Sequence, residues 1–356
     1  MMFQRDLLEW YKKEARVLPW RSDPTPYKVW ISEMMLQQTR VDTVIPYFLR
    51  FIEELPDVES LAKVEEDKLL KLWQGLGYYN RAMNLKKAAQ QILELHGGRI
   101  PENPSVLQGL PGIGPYSSGA IASIAFDKQV PAVDGNVLRI MIRISGERGD
   151  MKATDVKKRL VAMATDLVPP IGAGDFNQAL MDLGATICLP NGEPKCGECP
   201  VSVHCLANHL GIAGEIPMVE KKKPRLLEKK TVLVITDGHR YALTKRVGNG
   251  LLPNLWEFPN EEGHLNKKQC QDILSLKGIK LKEISELKPS RHIFSHREWL
   301  MTGFLVVAEA DPDSSNEVKT DLGLKDVGFT WVSREEIARD YSIPTAFKEY
   351  LKMLKI

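Results

Sequence analysis

Four cysteines, Cys188, Cys196, Cys199 and Cys205, fall within eighteen residues of this 356-residue chain. Their spacing, C-x7-C-x2-C-x5-C, sets four thiols on one short irregular segment, where they can close around one centre. The fifth cysteine, Cys270, stands alone. Structural disulfides are not expected in a cytoplasmic chain, so the crowding reads as a metal or cluster site. Zinc and a 4Fe–4S cluster both accept four sulfurs. Zinc sites commonly pair two CxxC elements and only one is present here, but the spacing leaves both open. Lys195 and His204 would add positive charge to the surface of that loop.

The cytoplasmic expectation comes from the first residues. Met1 to Arg21 is amphipathic and charged (Arg5, Asp6, Glu9, Lys12, Lys13, Glu14) and lacks the apolar core of a signal peptide. No window approaches the ~18 uncharged apolar residues of a membrane span. Hydrophobic residues at 43% and charged residues at 26% are the balance of a soluble globular chain, which excludes a collagen, a disordered tail and a disulfide scaffold. At roughly 100–200 residues per domain, two domains are expected. The net charge of +2 is local in origin: residues 216–230 carry six Lys and Arg against two Asp and Glu, and residues 231–356 balance at eighteen each. Taken alone, the run Lys221-Lys222-Lys223-Pro224-Arg225 reads as a solvated linker. A polyanionic partner would have to meet local patches.

Residues 1–212 read as an all-α domain. Apolar residues recur at helical spacing in Phe3-Leu7-Leu8-Tyr11, Val29-Met34-Met35-Leu36 and Leu61-Leu69-Leu70-Leu72-Trp73, with Pro- and Gly-bearing turns between. Residues 213–230 are the expected basic linker. From 231 to 356 the pattern becomes α+β. Strands are expected at Lys230–Thr236, Tyr241–Arg246, Leu255–Phe258, His292–Phe294, Trp299–Ala308 and Gly328–Val332. Helices are expected at Lys267–Leu276, Arg334–Asp340 and Thr345–Leu354.

Leu107-Gln108-Gly109-Leu110-Pro111-Gly112-Ile113-Gly114 separates two helical stretches. Its glycines permit a tight turn with positive φ. The next helix, starting near Pro115-Tyr116-Ser117-Ser118, would then present free N–H groups and its positive dipole end to a phosphate. An LPGIG turn inside a helical domain is a helix-hairpin-helix signature, which points Leu110, Gly112, Ile113 and Gly114 at DNA backbone without sequence readout.

The hairpin, then Val133-Asp134-Gly135-Asn136-Val137, then the four cysteines, resembles the helix-hairpin-helix DNA glycosylases of the endonuclease III superfamily. Within it, the chain is similar to the MutY family of adenine glycosylases. The matching motifs are Leu18-Pro19-Trp20-Arg21, Ser32-Glu33-Met34-Met35-Leu36-Gln37-Gln38-Thr39, Gly75-Leu76-Gly77-Tyr78-Tyr79 and Phe176-Asn177-Gln178-Ala179-Leu180-Met181-Asp182-Leu183-Gly184. The likeness runs over essentially the whole chain. It implies removal of adenine mispaired with 8-oxoguanine or guanine in duplex DNA by a monomer, and a 4Fe–4S cluster on Cys188, Cys196, Cys199 and Cys205. That family more commonly has six residues between the first two cysteines. Here there are seven, and the turn Leu189-Pro190-Asn191-Gly192-Glu193-Pro194-Lys195 absorbs the addition.

Chemistry on a stacked base requires extruding it. Adenine then leaves readily only when a ring nitrogen is protonated, which calls for a carboxylic acid that keeps its proton near neutral pH. Glu33, between Trp30-Ile31 and Met34-Met35-Leu36, fits, because burial there would raise its pKa. A surface Glu is the commoner case; the apolar flanks and the family match favour the acid. The sugar develops positive charge, which a second, ionised carboxylate can stabilise or attack. Asp134 is the candidate, and it can serve at the same time as a helix N-cap. In the family, the residue matching Asn136 orients the carboxylate or the water. Bifunctional relatives carry lysine where this chain has Tyr116, and a phenol cannot form their Schiff base. A monofunctional hydrolase is expected, with Tyr116 hydrogen-bonded near Asp134.

The resemblance assigns Gln38 and Tyr78 to a wedge in the duplex, and Trp20, Arg21 and Gln178 to the adenine pocket. The second domain looks Nudix-like from Leu251-Leu252-Pro253-Asn254-Leu255-Trp256-Glu257-Phe258-Pro259. The metal-binding acidic helix of a working Nudix hydrolase is missing after it, where Glu261-Glu262-Gly263-His264-Leu265-Asn266-Lys267-Lys268-Gln269 stands. Phe294-Ser295-His296 matches the family's 8-oxoguanine-contacting loop, though a turn tip of no function would look the same. Three other readings compete. A bifunctional lyase is opposed by Tyr116, a nucleotide pyrophosphohydrolase by the missing acidic helix, and a non-catalytic iron–sulfur DNA-binding protein by the presence of both Glu33 and Asp134.

Overall fold

The computed structural model describes residues 2–190, 192–218, 224–247, 250–309 and 328–355. Lys221, Lys222 and Lys223 of the basic run, and Asn191 of the cysteine spacer, lie outside the described residues. The chain forms two units: Met1–Val64 with Asn80–Lys221, and Glu65–Tyr79 with Lys222–Ile356. Glu65–Tyr79, expected within residues 1–212, therefore belongs with the C-terminal residues.

The first unit is helical. Helix Met2–Glu14 buries Phe3, Leu7 and Tyr11, one face at four-residue spacing. That face meets Val137, Met141, Leu160, Phe176 and Leu180 from three later helices, Gly135–Ser145, Thr154–Leu167 and Ala173–Thr186. Helix Pro26–Leu36 starts on Thr25, whose hydroxyl accepts from the Lys28 amide, with Pro26 in the first turn. It is buried nearly all round, from Tyr27 through Met35, and so carries Glu33 into the interior. Helices Pro104–Gln108 and Pro115–Phe126 flank the expected hairpin. Gly112 there has φ +78°, and a Cβ on it would lie 2.8 Å from the Asn84 Cβ, so dihedral and space both require glycine.

The second unit is built on a seven-stranded sheet: β1 (Leu226–Thr236), β2 (Arg240–Lys245), β3 (Trp256–Glu257), β4 (Asn260–Glu262), β5 (Leu281–Ile293), β6 (Arg297–Ala308) and β7 (Thr330–Ser333). The order is β3-β2-β1-β6-β5, with β4 paired to β1 and β7 to β2. β1 runs parallel to β6, from Leu226 opposite Arg297 to Thr236 opposite Val307. Val232 and Val234 enter one core with Phe258, Trp299 and Tyr350; Leu233 and Ile235 enter another with Cys270, Leu274 and Phe304. Both faces are thus covered, which is why β1 reads as an apolar run.

Two expectations are corrected here. The stretch 226–230, read as linker, is the first half of β1. It is largely exposed and held by pairing to β6, and its two leading leucines, Leu226 and Leu227, stand outside the buried apolar run that marks the rest of β1. β5 was expected only at His292–Phe294 but starts at Leu281, because its charged, mostly exposed side chains hide a strand that pairs along β6.

Candidate active site

Glu33 is 4% exposed. Burial pushes its carboxyl up to about 7; the Tyr116 hydrogen bond opposes this, the nearby Asp134 charge adds to it, and Arg21 opposes it again. The Tyr116 hydroxyl donates to Glu33 Oε2 at 2.7 Å. Its partner is thus Glu33, with the Asp134 charge close by. The phenol stands over the acid, and Asp134 acts on it only through charge, while burial raises the phenol's own pKa well above its ordinary value.

Asp134 caps helix Gly135–Ser145. Its Oδ1 accepts from the Asn136 and Val137 amides at 2.9 and 2.8 Å, and its Oδ2 accepts from Asn136 Nδ2 at 2.8 Å. The helix mouth stabilises a negative charge here, and Asn136 fixes the carboxylate plane. The tightness is set from the facing helix: a Cβ on Gly184 would meet the Asn136 Cβ at 2.9 Å. Buried Asn177 holds the approach to Asp134 by accepting from the Ala132 amide and donating to Ser123 Oγ and the Val130 carbonyl.

Three supporting residues carried no individual signal in the sequence. One is Asn177. Another is Arg81, buried, whose guanidinium donates to the Met34, Met35 and Gln37 carbonyls and so closes the C-terminus of the Glu33 helix. The third is buried Asp182, which pairs with Arg21 at 2.8 Å and with Arg16 at 2.5 Å. Burial would raise the Asp182 pKa, but the two guanidinium groups outweigh it and hold the carboxyl below its ordinary value. Asn177 and Asp182 lie inside the motif that contains Gln178, which is the clue that could have found them.

Arg21 and Gln178 line one pocket together with Tyr11, Pro24, Asp127 and Asp175. Trp20 is not among its lining residues; it is buried and packs edge-on against Phe48, with ring centroids 5.3 Å apart. In the hairpin, Leu110 and Ile113 are buried anchors, whereas Gly112 and Gly114 face solvent. Gln38 has φ +58° and Tyr78 has φ +48°. Side chains rarely tolerate this region, and such outliers concentrate at functional sites. Gln38 belongs to the first unit and Tyr78 to the second.

Phe294-Ser295-His296 forms the tip between β5 and β6, closed by the Phe294 amide donating to the Arg297 carbonyl. Phe294 leans on Trp299 and His292, with centroids 4.9 and 4.5 Å away. Ser295 and His296 are exposed. The Tyr78 hydroxyl lies 2.6 Å from Ser295 Oγ.

Cys188, Cys196, Cys199 and Cys205 line one pocket with Ile140, Arg143 and Val201. Among the described residues, no three His, Cys, Asp or Glu side chains converge as a single ion would need. Arg143 Nη1 donates to Cys188 Sγ at 3.2 Å and to the Leu189 carbonyl, and Arg139 Nε donates to the Cys188 carbonyl. The helix capped by Asp134 thus holds the cysteine loop with two buried arginines. The spacer closes on itself, the Lys195 amide donating to the Ile187 carbonyl at 3.0 Å. Burial raises the Cys199 thiol to about 11 and the thiols of Cys196 and Cys205 in the same direction. No helix among the described residues is long and apolar enough to cross a membrane.

The HhH-GPD superfamily of base excision DNA repair proteins matches residues 31–165, and the NUDIX domain family matches residues 231–353. The chain is 34% identical to the adenine DNA glycosylase of Mus musculus over 99% of its own length and 77% of that protein. It is equally 34% identical to the adenine DNA glycosylase of Buchnera aphidicola subsp. Schizaphis graminum, over 99% of both. A solved thermostable thymine-DNA glycosylase superposes on 58% of this chain and 95% of its own, with a TM-score of 0.54 and 32% identity.

Proposed function

The chain is a DNA glycosylase of the adenine DNA glycosylase family, and from that premise we propose that it hydrolyses the N-glycosidic bond of adenine paired with 8-oxoguanine or guanine. A cytoplasmic monomer acting on duplex DNA is the form that fits this reading. The observation that carries it is the buried Glu33, titrating at about 7 under the Tyr116 hydroxyl, close to the capped carboxylate of Asp134. Two carboxyl groups in environments this different divide the work of acid and anion.

Glu33 delivers a proton to a ring nitrogen of the extruded adenine. The bond to the sugar breaks, adenine leaves neutral, and Asp134 stabilises the oxocarbenium ion or forms a covalent adduct that water then hydrolyses. Trp20, Arg21 and Gln178 are assigned to the base pocket by their match to the family's motifs. Gln38 and Tyr78 fill the vacated stack, which offsets part of the extrusion cost. Gly112 and Gly114 let the hairpin backbone approach a phosphate, with Leu110 and Ile113 as its anchors. With a phenol where a lyase needs an amine, a duplex carrying adenine opposite 8-oxoguanine should lose the base but break only after alkali. Strand cleavage without alkali would refute the monofunctional reading.

The four thiols line one shared pocket, which supports the 4Fe–4S cluster that the family resemblance implies. Bound there, the cluster would fasten the loop as a structural clip, and Arg139 and Arg143 would offset its negative charge. The purified protein should be brown and contain iron and sulfide. Stoichiometric zinc without iron, in protein prepared without air, would overturn the assignment.

Ser295, at an exposed tip whose Phe294 is pinned to Trp299, reads the partner base. A hydroxyl contact to a base edge is worth about 1–3 kcal/mol of discrimination. Ser295→Ala should narrow the affinity gap between duplexes with 8-oxoguanine and with guanine opposite adenine, measured at one salt concentration. An unchanged gap would show that the tip does not read the lesion.

A further inference from the structure

We propose that the Glu65–Tyr79 segment is a strap built into the C-terminal unit, and that Lys71 is the positioning residue that sets Tyr78 beside Ser295. The inference rests on the reading of Tyr78 and Ser295 as contacts to the lesion pair. In the chain this segment sits among glycosylase residues, yet side-chain hydrogen bonds fasten it to residues 337–343.

Lys71 Nζ donates to the Ile337 and Tyr341 carbonyls, both at 3.0 Å. Ile337 is in the short helix Arg334–Arg339, so the ammonium satisfies carbonyls at a helix C-terminus, where a cation is favoured. Gln74 Nε2 donates to the Ile343 carbonyl at 2.9 Å. In the opposite direction, buried Ser342 donates to the Leu70 carbonyl at 3.1 Å. Asp67, in the first turn of helix Glu66–Leu72, takes an ion pair from Lys245 at 2.8 Å. Leu69, Leu70 and Trp73 are fully buried. Lys71 is desolvated enough for burial to bring its pKa down to about 8.

The chain from Lys71 to Tyr78 is short and tied. Trp73 Nε1 donates to the Gly77 carbonyl at 3.1 Å, and Gly75 and Gly77 have φ of +106° and +72°. That turn ends in Tyr78, which is 46% exposed and hydroxyl-to-hydroxyl with Ser295. Lys71 is the member of the strap that satisfies two carbonyls with one group, so its loss should loosen the turn most. The wedge and the base-reading tip are then one device, aligned from a point that touches neither.

The test compares the affinity ratio for duplexes carrying 8-oxoguanine or guanine opposite adenine, with thermal unfolding followed alongside. Lys71→Met keeps the stem and removes the donors. It should lower the ratio about threefold to tenfold, the range of coupling between residues in contact. The decrease should be absent when Tyr78→Ala is already present, because the lysine acts through that side chain, and Lys71→Arg should restore part of it. Should K71M melt far below the native chain, Gln74→Leu and Ser342→Ala carry the same test. If Y78A and S295A lower the ratio but the strap variants keep the native value, the strap inference is wrong and the base-reading assignment stands. If Y78A and S295A also leave it unchanged, both fall.

Discussion

Glutamine at position 33 should abolish adenine release while leaving binding of the mismatched duplex largely intact. The carboxamide keeps the shape and can still accept the Tyr116 hydrogen bond, but it has no proton to give. General acid catalysis is worth about 10²–10⁴-fold, and the single-turnover rate should fall by that order. The native enzyme should also lose activity as pH rises through about 7, where the buried acid empties, and Glu33→Gln should lack that limb. Stability gives an independent check. The folded-state pKa lies above the ordinary carboxyl value of 4.5, so the contribution of Glu33 is fully present below pH 4.5 and is lost as pH rises through about 7. The differential is on the order of 3 kcal/mol. Relative to the native chain, the variant should therefore gain stability between pH 5 and pH 8. Excision by E33Q at a near-native single-turnover rate would remove Glu33 from the role of acid.

The chemistry of the first unit was legible because its residue types are scarce in such settings. A glutamate inside an apolar helix, glycines on either side of an isoleucine and four crowded thiols each have few uses, and they stand in local order along the chain. What stayed hidden was relational. Nothing local to Tyr116 says that its hydroxyl bonds Glu33, since that carboxyl comes from a helix 83 residues earlier in the chain. The edge-on packing of the Trp20 ring against Phe48 is likewise not written in its motif. Apolar periodicity reports burial and not which core is filled. Leu69, Leu70 and Trp73 therefore announced a packed helix without revealing that it belongs with the C-terminal residues. β5 escaped for the converse reason, since an exposed, charged strand owes its place to backbone pairing with β6 and has little apolar periodicity to read.

Asp134→Asn should be the second severe lesion, and it separates two roles that one carboxylate holds. Asn caps a helix about as well as Asp, so the bonds from the Asn136 and Val137 amides can persist and the unfolding temperature should barely move. The charge is gone, however, and the positive charge that develops at the sugar loses its counterion. Removing one preorganised electrostatic stabiliser typically costs about 10²–10³ in rate, and loss of a nucleophile would cost more. Asp134→Ala should add to this the roughly 1 kcal/mol of a missing cap, seen as a lower unfolding temperature. Gly184→Ala approaches the same carboxylate from behind. Its Cβ would push on Asn136 and tilt the amide away from Asp134 Oδ2, slowing excision with Glu33 untouched. Normal excision by D134N, in a protein that melts like the native chain, would reduce Asp134 to a helix cap and leave the oxocarbenium ion without its anion.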